Sequence, residues 1–303
     1  MEKTVFNKYG KKNLKGKPSF LKSKIPKGDN YVQVKRSLRE KGLFTVCEEA
    51  KCPNLSECWA DKTATMMILG DTCTRACKFC NVKTGNPKGL LDPDEPRKAS
   101  EMVELMSLDY IVITSVDRDD LPDFGAGQFA SVVNQVNLDH PKVKVEVLIP
   151  DFAVVPEHMH TLAKSRPFVI AQNIETVKRL THPVRDRRAG YDKTLNALKF
   201  YRDNYPDIAT KSSIMVGLGE TKEELVETMM DLKEAGVKVI TFGQYLRPTL
   251  AHLEVQRYYE LEEYDHLKKL AYDIGFEFVA SGPMVRSSYK AADYFKYLES
   301  KNA

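Results

Sequence analysis

Past residue 60 the chain repeats one pattern six times: a short β-type run ending in small or polar residues, then a helix-like stretch. The runs are "TATMMIL" (63–69), "YIVITSV" (110–116), "VKVEVLI" (143–149), "FVIAQNI" (168–174), "TKSSIMV" (210–216) and "VKVITFG" (237–243). Strands alternating with helices predict a parallel sheet with helices outside it, open or curled into a barrel. The expected fold is α/β, an incomplete (β/α)6-type TIM barrel with N-terminal and C-terminal extensions. A complete eightfold barrel needs two more units, and "GFEFVASGP" (275–283) offers one further strand. Two intervening helices announce their ends. Thr221 and Glu224 form a capping box, Leu225, Met229 and Leu232 a stripe, and Gly236 a stop, which predicts a helix over 221–235. Another is predicted over 191–201, with Leu195, Leu198 and Tyr201 on one face.

In such barrels active sites lie at the C-terminal ends of the strands. The segment directly after the first strand is "CTRACKFC", residues 73–80. Its Cys73, Cys77 and Cys80 make one triplet, and Cys47, Cys52 and Cys58 in "CEEAKCPNLSEC" make a second. Each is one ligand short of the four that a closed zinc or iron–sulfur site takes. Clustered cysteines in a long chain without a secretory start point to metal binding or reactivity, not to disulfides. Three thiolates on a four-iron cluster leave one iron open to a substrate or cofactor. A zinc knuckle completed by a distant histidine is the competing reading.

Charged residues are 29% and hydrophobic residues 42% of the chain, a globular balance. No apolar run approaches the roughly 18–20 residues of a membrane span. The start "MEKTVFNKYGKKNLKGK" has neither the apolar core of a secretory signal nor the arginine and serine of a transit peptide. A cytoplasmic protein with no membrane partner is expected. The net charge of +4 is uneven, because residues 1–28 hold nine lysines against the single acid Glu2. Residues 1–30 are read as a basic flexible tail, either simply solvated or an arm that steers an acidic macromolecule. Nucleic acid is not expected, since the lysines lack accompanying arginine and aromatic interleaving.

The C-x3-C-x2-C spacing, with Phe79 ahead of the last cysteine and a barrel strand before the loop, resembles the radical S-adenosylmethionine superfamily. The triplet Cys47, Cys52 and Cys58, C-x4-C-x5-C, resembles the auxiliary-cluster motif of lipoyl synthases. So do "MILGDTCTRACKFCNVKTG", "TSVDRDDLPD", "NIETVKRL", "RDRRAGYDKTL", "KSSIMVGLGET", "TFGQYLRPT" and "SGPMVRSSYKA", in family order. The resemblance implies two 4Fe-4S clusters and S-adenosyl-L-methionine as cofactors. Cys73, Cys77 and Cys80 would hold the cluster whose open iron chelates S-adenosylmethionine. Cys47, Cys52 and Cys58 would hold the auxiliary cluster, completed by Ser288 of "RSSY". The implied reaction inserts sulfur from the auxiliary cluster at C6 and C8 of an octanoyl-lysine, after a 5′-deoxyadenosyl radical removes hydrogen from each carbon. Implied partners are octanoylated lipoyl carrier domains or glycine cleavage H protein, an electron donor such as flavodoxin or ferredoxin, and an iron–sulfur cluster carrier. The extensions then read as 31–62, carrying the auxiliary motif, and 281–303, supplying the serine, on either side of a barrel at 63–280.

Other residues have two readings each. Phe79, Asn173 and Glu175 are candidate cofactor contacts, the last two by hydrogen bonds to ribose or amino groups, or else strand-end caps. "RDRRAGY" (185–191) offers cations for a carboxylate or carrier surface, or is a solvated loop. Gly217 and Gly219 mark a tight turn or a close approach to the nucleoside. His158 and His160 are expected at the surface. Phe124 stands where lipoyl synthases commonly have glycine, which puts a close backbone approach there in doubt. A biotin-synthase-like enzyme would lack the 47/52/58 triplet and "RSSY"; a zinc-structured nucleic-acid-binding module would contain zinc and bind with strong salt dependence.

Overall fold

All six runs form strands: β1 (Thr63–Ile68), β4 (Tyr110–Ser115), β5 (Lys144–Leu148), β6 (Val169–Ala171), β7 (Ala209–Val216) and β8 (Val239–Gln244). A seventh, β9 (Phe278–Ser281), lies within the 275–283 stretch. They make one parallel sheet in the order β1-β4-β5-β6-β7-β8-β9. A separate pair, β2 (Thr72–Cys73) and β3 (Lys83–Thr84), brackets the loop that carries Cys73, Cys77 and Cys80. The structure, a computed structural model, describes residues 18–21, 36, 40, 45, 54, 58–59, 62–289 and 291–302. Cys47, Cys52 and most of the lysine-rich start lie outside the described residues.

Helices return the chain between strands: α1 (Glu95–Met106), α2 (Ala126–Asp139), α3 (Pro156–Lys164), the single turn α4 (Thr181–Val184), α5 (Tyr191–Asn204), α6 (Lys222–Glu234) and α7 (Leu261–Ile274). The capping box of α6 is formed as expected, Glu224 N–H donating to Thr221 Oγ1 (3.2 Å) and Thr221 N–H to Glu224 Oε2 (2.8 Å). Leu225, Met229 and Leu232 are fully buried beneath it. Helix α5 buries Leu198 and Tyr201, with Leu195 half-buried beside them.

A last helix, α8 (Ala292–Asn302), shows how the sheet is curled. Ala291, Ala292 and Phe295 pack against Tyr110, Val112, Leu148 and Phe168. Tyr294, Tyr297 and Leu298 pack against Val169, Ala209, Val239 and Phe278. Side chains at or near the beginnings of β4 through β9 thus converge on one helix, which closes the floor of the partial barrel. Above that apolar floor lies a buried polar layer: Tyr110 OH donates to Glu146 Oε2 (2.8 Å) and Lys211 Nζ to Glu146 Oε1 (2.7 Å). Both carboxylate oxygens are engaged, the condition under which a buried charge pair is tolerable.

Three local readings can be set against the structure, and the first needs correction. His158 and His160 are half-buried instead of surface residues. His160 Nδ1 meets Tyr205 OH at 2.8 Å and its ring edges Phe200 at 4.9 Å, because α3 packs beside α5. Gly217 (φ +97°) leaves no room for a nucleoside, since a Cβ there would meet Gln244 Nε2 at 2.2 Å and the Arg257 carbonyl at 2.5 Å. It is a turn, held by Glu220 accepting from Gly217 N–H (2.6 Å) and Leu218 N–H (2.9 Å). Phe124 adopts φ +55°, a conformation that suits glycine. The close approach is made by its neighbour Gly125, where a Cβ would meet Leu69 Cδ1 at 2.4 Å.

Candidate active site

The loop 73–80 emerges from β1 at the C-terminal edge of the sheet and is tied down along its length. The Cys73 carbonyl accepts from Gly85 N–H (2.9 Å), and Thr74 N–H donates to the Asp117 carbonyl (2.9 Å). Ala76 N–H donates to Asp186 Oδ2 (2.9 Å), and Lys78 N–H to the Val184 carbonyl (2.9 Å). His252 Nε2 donates to the Cys80 carbonyl (2.9 Å), which fixes that imidazole's tautomer. Phe79 is half-buried against the cluster that includes Val184 and Leu253, anchoring the loop's end.

Main-chain N–H groups aim at the sulfurs. Cys73 Sγ accepts from Arg75 N–H (3.4 Å) and Asp117 N–H (3.3 Å), and Cys77 Sγ from Asp186 N–H (3.2 Å). All three cysteines are free thiols. Burial, then the Asp117 carboxylate, pushes the Cys73 thiol up to about 12. Burial likewise pushes Cys77 up to about 11 and raises Cys80. Thiols this hard to ionise are inert by themselves and become thiolates on a metal. Buried sulfurs with donors aimed at them fit a thiolate-bound iron–sulfur group. Among the described residues no three His, Cys, Asp or Glu side chains are placed to hold a single metal ion.

Behind the loop stands a brace that sequence reasoning missed. Arg75, only 4% exposed, bonds to Asp119 and Asp151 through both oxygens of each, and pairs with Asp117 at 3.2 Å. Arg188 binds Asp186 (2.9 Å), Asp119 (3.2 Å) and the Thr74 carbonyl. These bonds hold Asp186 well below the usual carboxylate range. Burial opposes ionisation of Asp151, but Arg75 still holds it low. Asp117 is the exception: loss of water raises it to about 6, with Arg75 only partly offsetting this. "RDRRAGY" is therefore not a solvated loop at Arg185 and Asp186, which face inward; the Arg188 side chain is partly exposed but held by carboxylates, and Arg187 is exposed. No spacing signal marks this set, because "DRDD" reads as a solvated acidic turn until the fold brings it to Arg75.

Asn173 and Glu175 reach the same edge through a break in β6. Ser212 Oγ accepts from Ile174 N–H (3.1 Å) and donates to the Gln172 carbonyl (2.9 Å), replacing a ladder step. Glu175, at φ +68°, rejoins β7 through Ser213 and Met215. Asn173 Nδ2 donates to Glu175 Oε1 (3.1 Å), and burial raises the carboxyl's pKa while Arg185 opposes it. Among the described residues, buried Ser115 Oγ, Gln172 Oε1, Asn173 Oδ1, Thr176 Oγ1 and Arg185 Nε have no hydrogen-bond partner. Buried polar atoms are normally paired, and such a group at strand ends suits a polar ligand.

Of the other triplet, Cys58 is described and buried. Asn54 Nδ2 donates to the Met284 carbonyl (2.5 Å), four residues before Ser288. Ser288 lies half-buried in a turn closed by Tyr289 N–H to the Arg286 carbonyl (2.9 Å). Asn54, four residues before Cys58, thus meets the segment that leads into the serine turn. Cys47 and Cys52 lie outside the described residues.

Comparison with known proteins agrees with this geometry. The family model described as "Radical SAM superfamily" matches residues 67–232, and the N-terminal domain of lipoyl synthase matches residues 2–52. The lipoyl synthase of Francisella tularensis subsp. novicida (strain U112) is 54% identical over 281 residues, 92% of this chain and 86% of that protein. That of Marinobacter nauticus is 53% identical over 284 residues, 94% of this chain and 82% of that one. Among solved structures, Streptococcus suis SuiB bound to S-adenosylmethionine superposes with a TM-score of 0.55 at 12% identity, over 84% of this chain and 57% of SuiB. This chain therefore aligns with little more than half of SuiB. HydG, a maturase of the [FeFe]-hydrogenase, gives 0.51 at 12% identity, over 90% and 72% of the two chains. The two solved structures speak for the fold, and the sequence relatives for the rest: the chain belongs to the lipoyl synthase family of the radical S-adenosylmethionine superfamily.

Proposed function

We propose that the chain inserts two sulfur atoms, at C6 and C8, into an octanoyl group amide-linked to a lysine of a carrier protein, giving the lipoyl cofactor. The observation that supports this best is the braced Cys73–Cys77–Cys80 loop at the barrel mouth, with main-chain N–H groups directed at its sulfurs. In this reading the three cysteines hold one 4Fe-4S cluster, and Cys47, Cys52, Cys58 and Ser288 hold the auxiliary one. The extension 31–62 and the segment 281–303 serve the auxiliary site, and 63–280 is the radical-generating barrel.

Carbons 6 and 8 carry unactivated C–H bonds that no side-chain base can ionise, so acid–base catalysis does not start this reaction. The cluster on Cys73, Cys77 and Cys80 supplies, when bound, the electron that cleaves S-adenosylmethionine to the hydrogen-abstracting radical. The protein's own part is positioning and exclusion of water. Asn173 and Glu175 offer an acceptor and a carboxyl to the cofactor's ribose and amino groups, and Phe79 keeps the loop seated. Helix α8 closes the floor and so shields that end of the interior from solvent. The auxiliary cluster is the sulfur substrate, and its oxygen ligand is a poorer match for iron–sulfur chemistry than thiolate, which favours its dismantling.

The partners in this reading are octanoylated lipoyl carrier domains or H protein, a low-potential electron donor and a cluster carrier that renews the auxiliary site. Among the described residues no helix is long and apolar enough to cross a membrane. The test is anaerobic iron, sulfide and zinc analysis followed by product analysis on an octanoyl-lysine peptide. About eight irons per chain, with 5′-deoxyadenosine and lipoyl product, are expected. The Cys73/Cys77/Cys80→Ala triple variant should keep about four irons and lose cleavage of S-adenosylmethionine. Stoichiometric zinc, or cleavage surviving in that variant, would sink the assignment.

A further inference from the structure

Arg75 uses four of the five N–H bonds of its guanidinium. Nε and one Nη2 hydrogen go to Asp119 (3.1 and 2.8 Å). The other Nη2 hydrogen and one of Nη1 go to Asp151 (3.0 and 2.8 Å). Nη1 also stands 3.2 Å from Asp117 Oδ1, an ion pair without a directed hydrogen bond. The three carboxylates come from the loops after β4 and β5, so one side chain of the cysteine loop fastens it to two neighbouring strand ends. One positive charge cannot neutralise three carboxylates. Arg188 takes a share of Asp119, and Asp151 holds Arg75 through two bonds. Asp117 has only the single contact, with a longer-range attraction to Arg185. Its other oxygen, Oδ2, lies 3.8 Å from Cys73 Sγ.

A fixed anion beside a cluster ligand has a definite effect. Reduction adds negative charge to the cluster, so a neighbouring carboxylate disfavours it and lowers the potential. N–H donors to sulfur act the other way, and Cys73 has both. We propose that Arg75 is a positioning residue that holds the Asp117 carboxylate beside Cys73, and that this fixed charge keeps the reduction potential of the cluster bound there low. The inference rests on the functional reading above. A low potential serves that function, because a more strongly reducing cluster gives up its electron to a sulfonium more readily.

The test is an anaerobic potentiometric titration of the full chain with both clusters, at pH 8, following the paramagnetic signal that S-adenosylmethionine perturbs. Asp117→Asn should leave iron content unchanged and move the one-electron equilibrium about tenfold toward the reduced state, roughly 59 mV. Arg75→Lys keeps the charge but cannot fork to three carboxylates. It should shift the midpoint in the same direction by releasing Asp117. A midpoint equal to wild type in Asp117→Asn would overturn the inference while leaving the functional reading intact. If Asp117→Asn loads no cluster, an unmoved midpoint in Arg75→Lys would overturn it equally. A wild-type chain with no S-adenosylmethionine-perturbed signal would overturn both.

Discussion

Ser288 is the residue whose proposed role departs furthest from its ordinary one, since a serine in a turn usually satisfies local backbone. If its weak ligation is what lets the auxiliary cluster give up sulfur, Ser288→Cys should still assemble that cluster through the better-matched thiolate. The variant should also still cleave S-adenosylmethionine. Lipoyl product should fail, and Ser287→Ala should behave close to wild type. Single-turnover analysis on octanoyl-lysine peptide decides it: wild-type lipoyl yield from Ser288→Cys would make the ligand's lability irrelevant. At this same scale the sequence was uneven. The cysteines announced themselves by spacing, and Asn173 and Glu175 by their place at a strand end. Arg75 did not, because Asp117, Asp119 and Asp151 lie 42, 44 and 76 positions away and only the folded sheet gathers them. Phe124 was legible as a departure but not as a cause. Its φ of +55° shows that glycine suits the position for backbone freedom, at a cost to phenylalanine of about 1 kcal/mol.

Among the elements, the strands were the most readable, since parallel strands buried on both faces appear as continuous apolar runs. β6 is shorter than its run because the Ser212 hydroxyl intercepts the backbone after Ala171, a substitution no periodicity reveals. The C-terminal segment was readable as "RSSY" but not as a packed element. Its approach to β8 is so close that a Cβ on Gly243 would lie 2.0 Å from the Val285 carbonyl oxygen. Backbone, not a flexible side chain, occupies that space. Gly243→Ala should therefore lift residues 284–289 off the strand end while sparing the cysteine loop. The expected outcome is selective loss of the auxiliary cluster, from about eight irons to about four, with cleavage of S-adenosylmethionine retained. Full iron content in a soluble Gly243→Ala protein would show that the segment's seat is not what completes that site.

Taken whole, the molecule is a barrel of neighbouring-strand contacts joined, at its two extensions, by a very distant one. The Asn54–Met284 hydrogen bond joins positions 230 residues apart. Closing a flexible loop of that length costs on the order of 5 kcal/mol in chain entropy, against much shorter loops between adjacent strands. Contacts of this kind are the first to open in native fluctuations. Amides at 284–289 should exchange with solvent well before those of β8, measured by native-state hydrogen exchange; equal protection would mean the closure is as permanent as the barrel. The seam between the two extensions then has a meaning in time as well as in space. The cysteines at 73–80 are braced within the barrel itself, so on the proposed reading their cluster could be loaded as soon as the barrel stands. In the proposed reading, a sulfur source held from both sides of a 230-residue span has no site until folding is finished, and each local opening of that seam would give a renewing carrier its access without unmaking the machinery beneath.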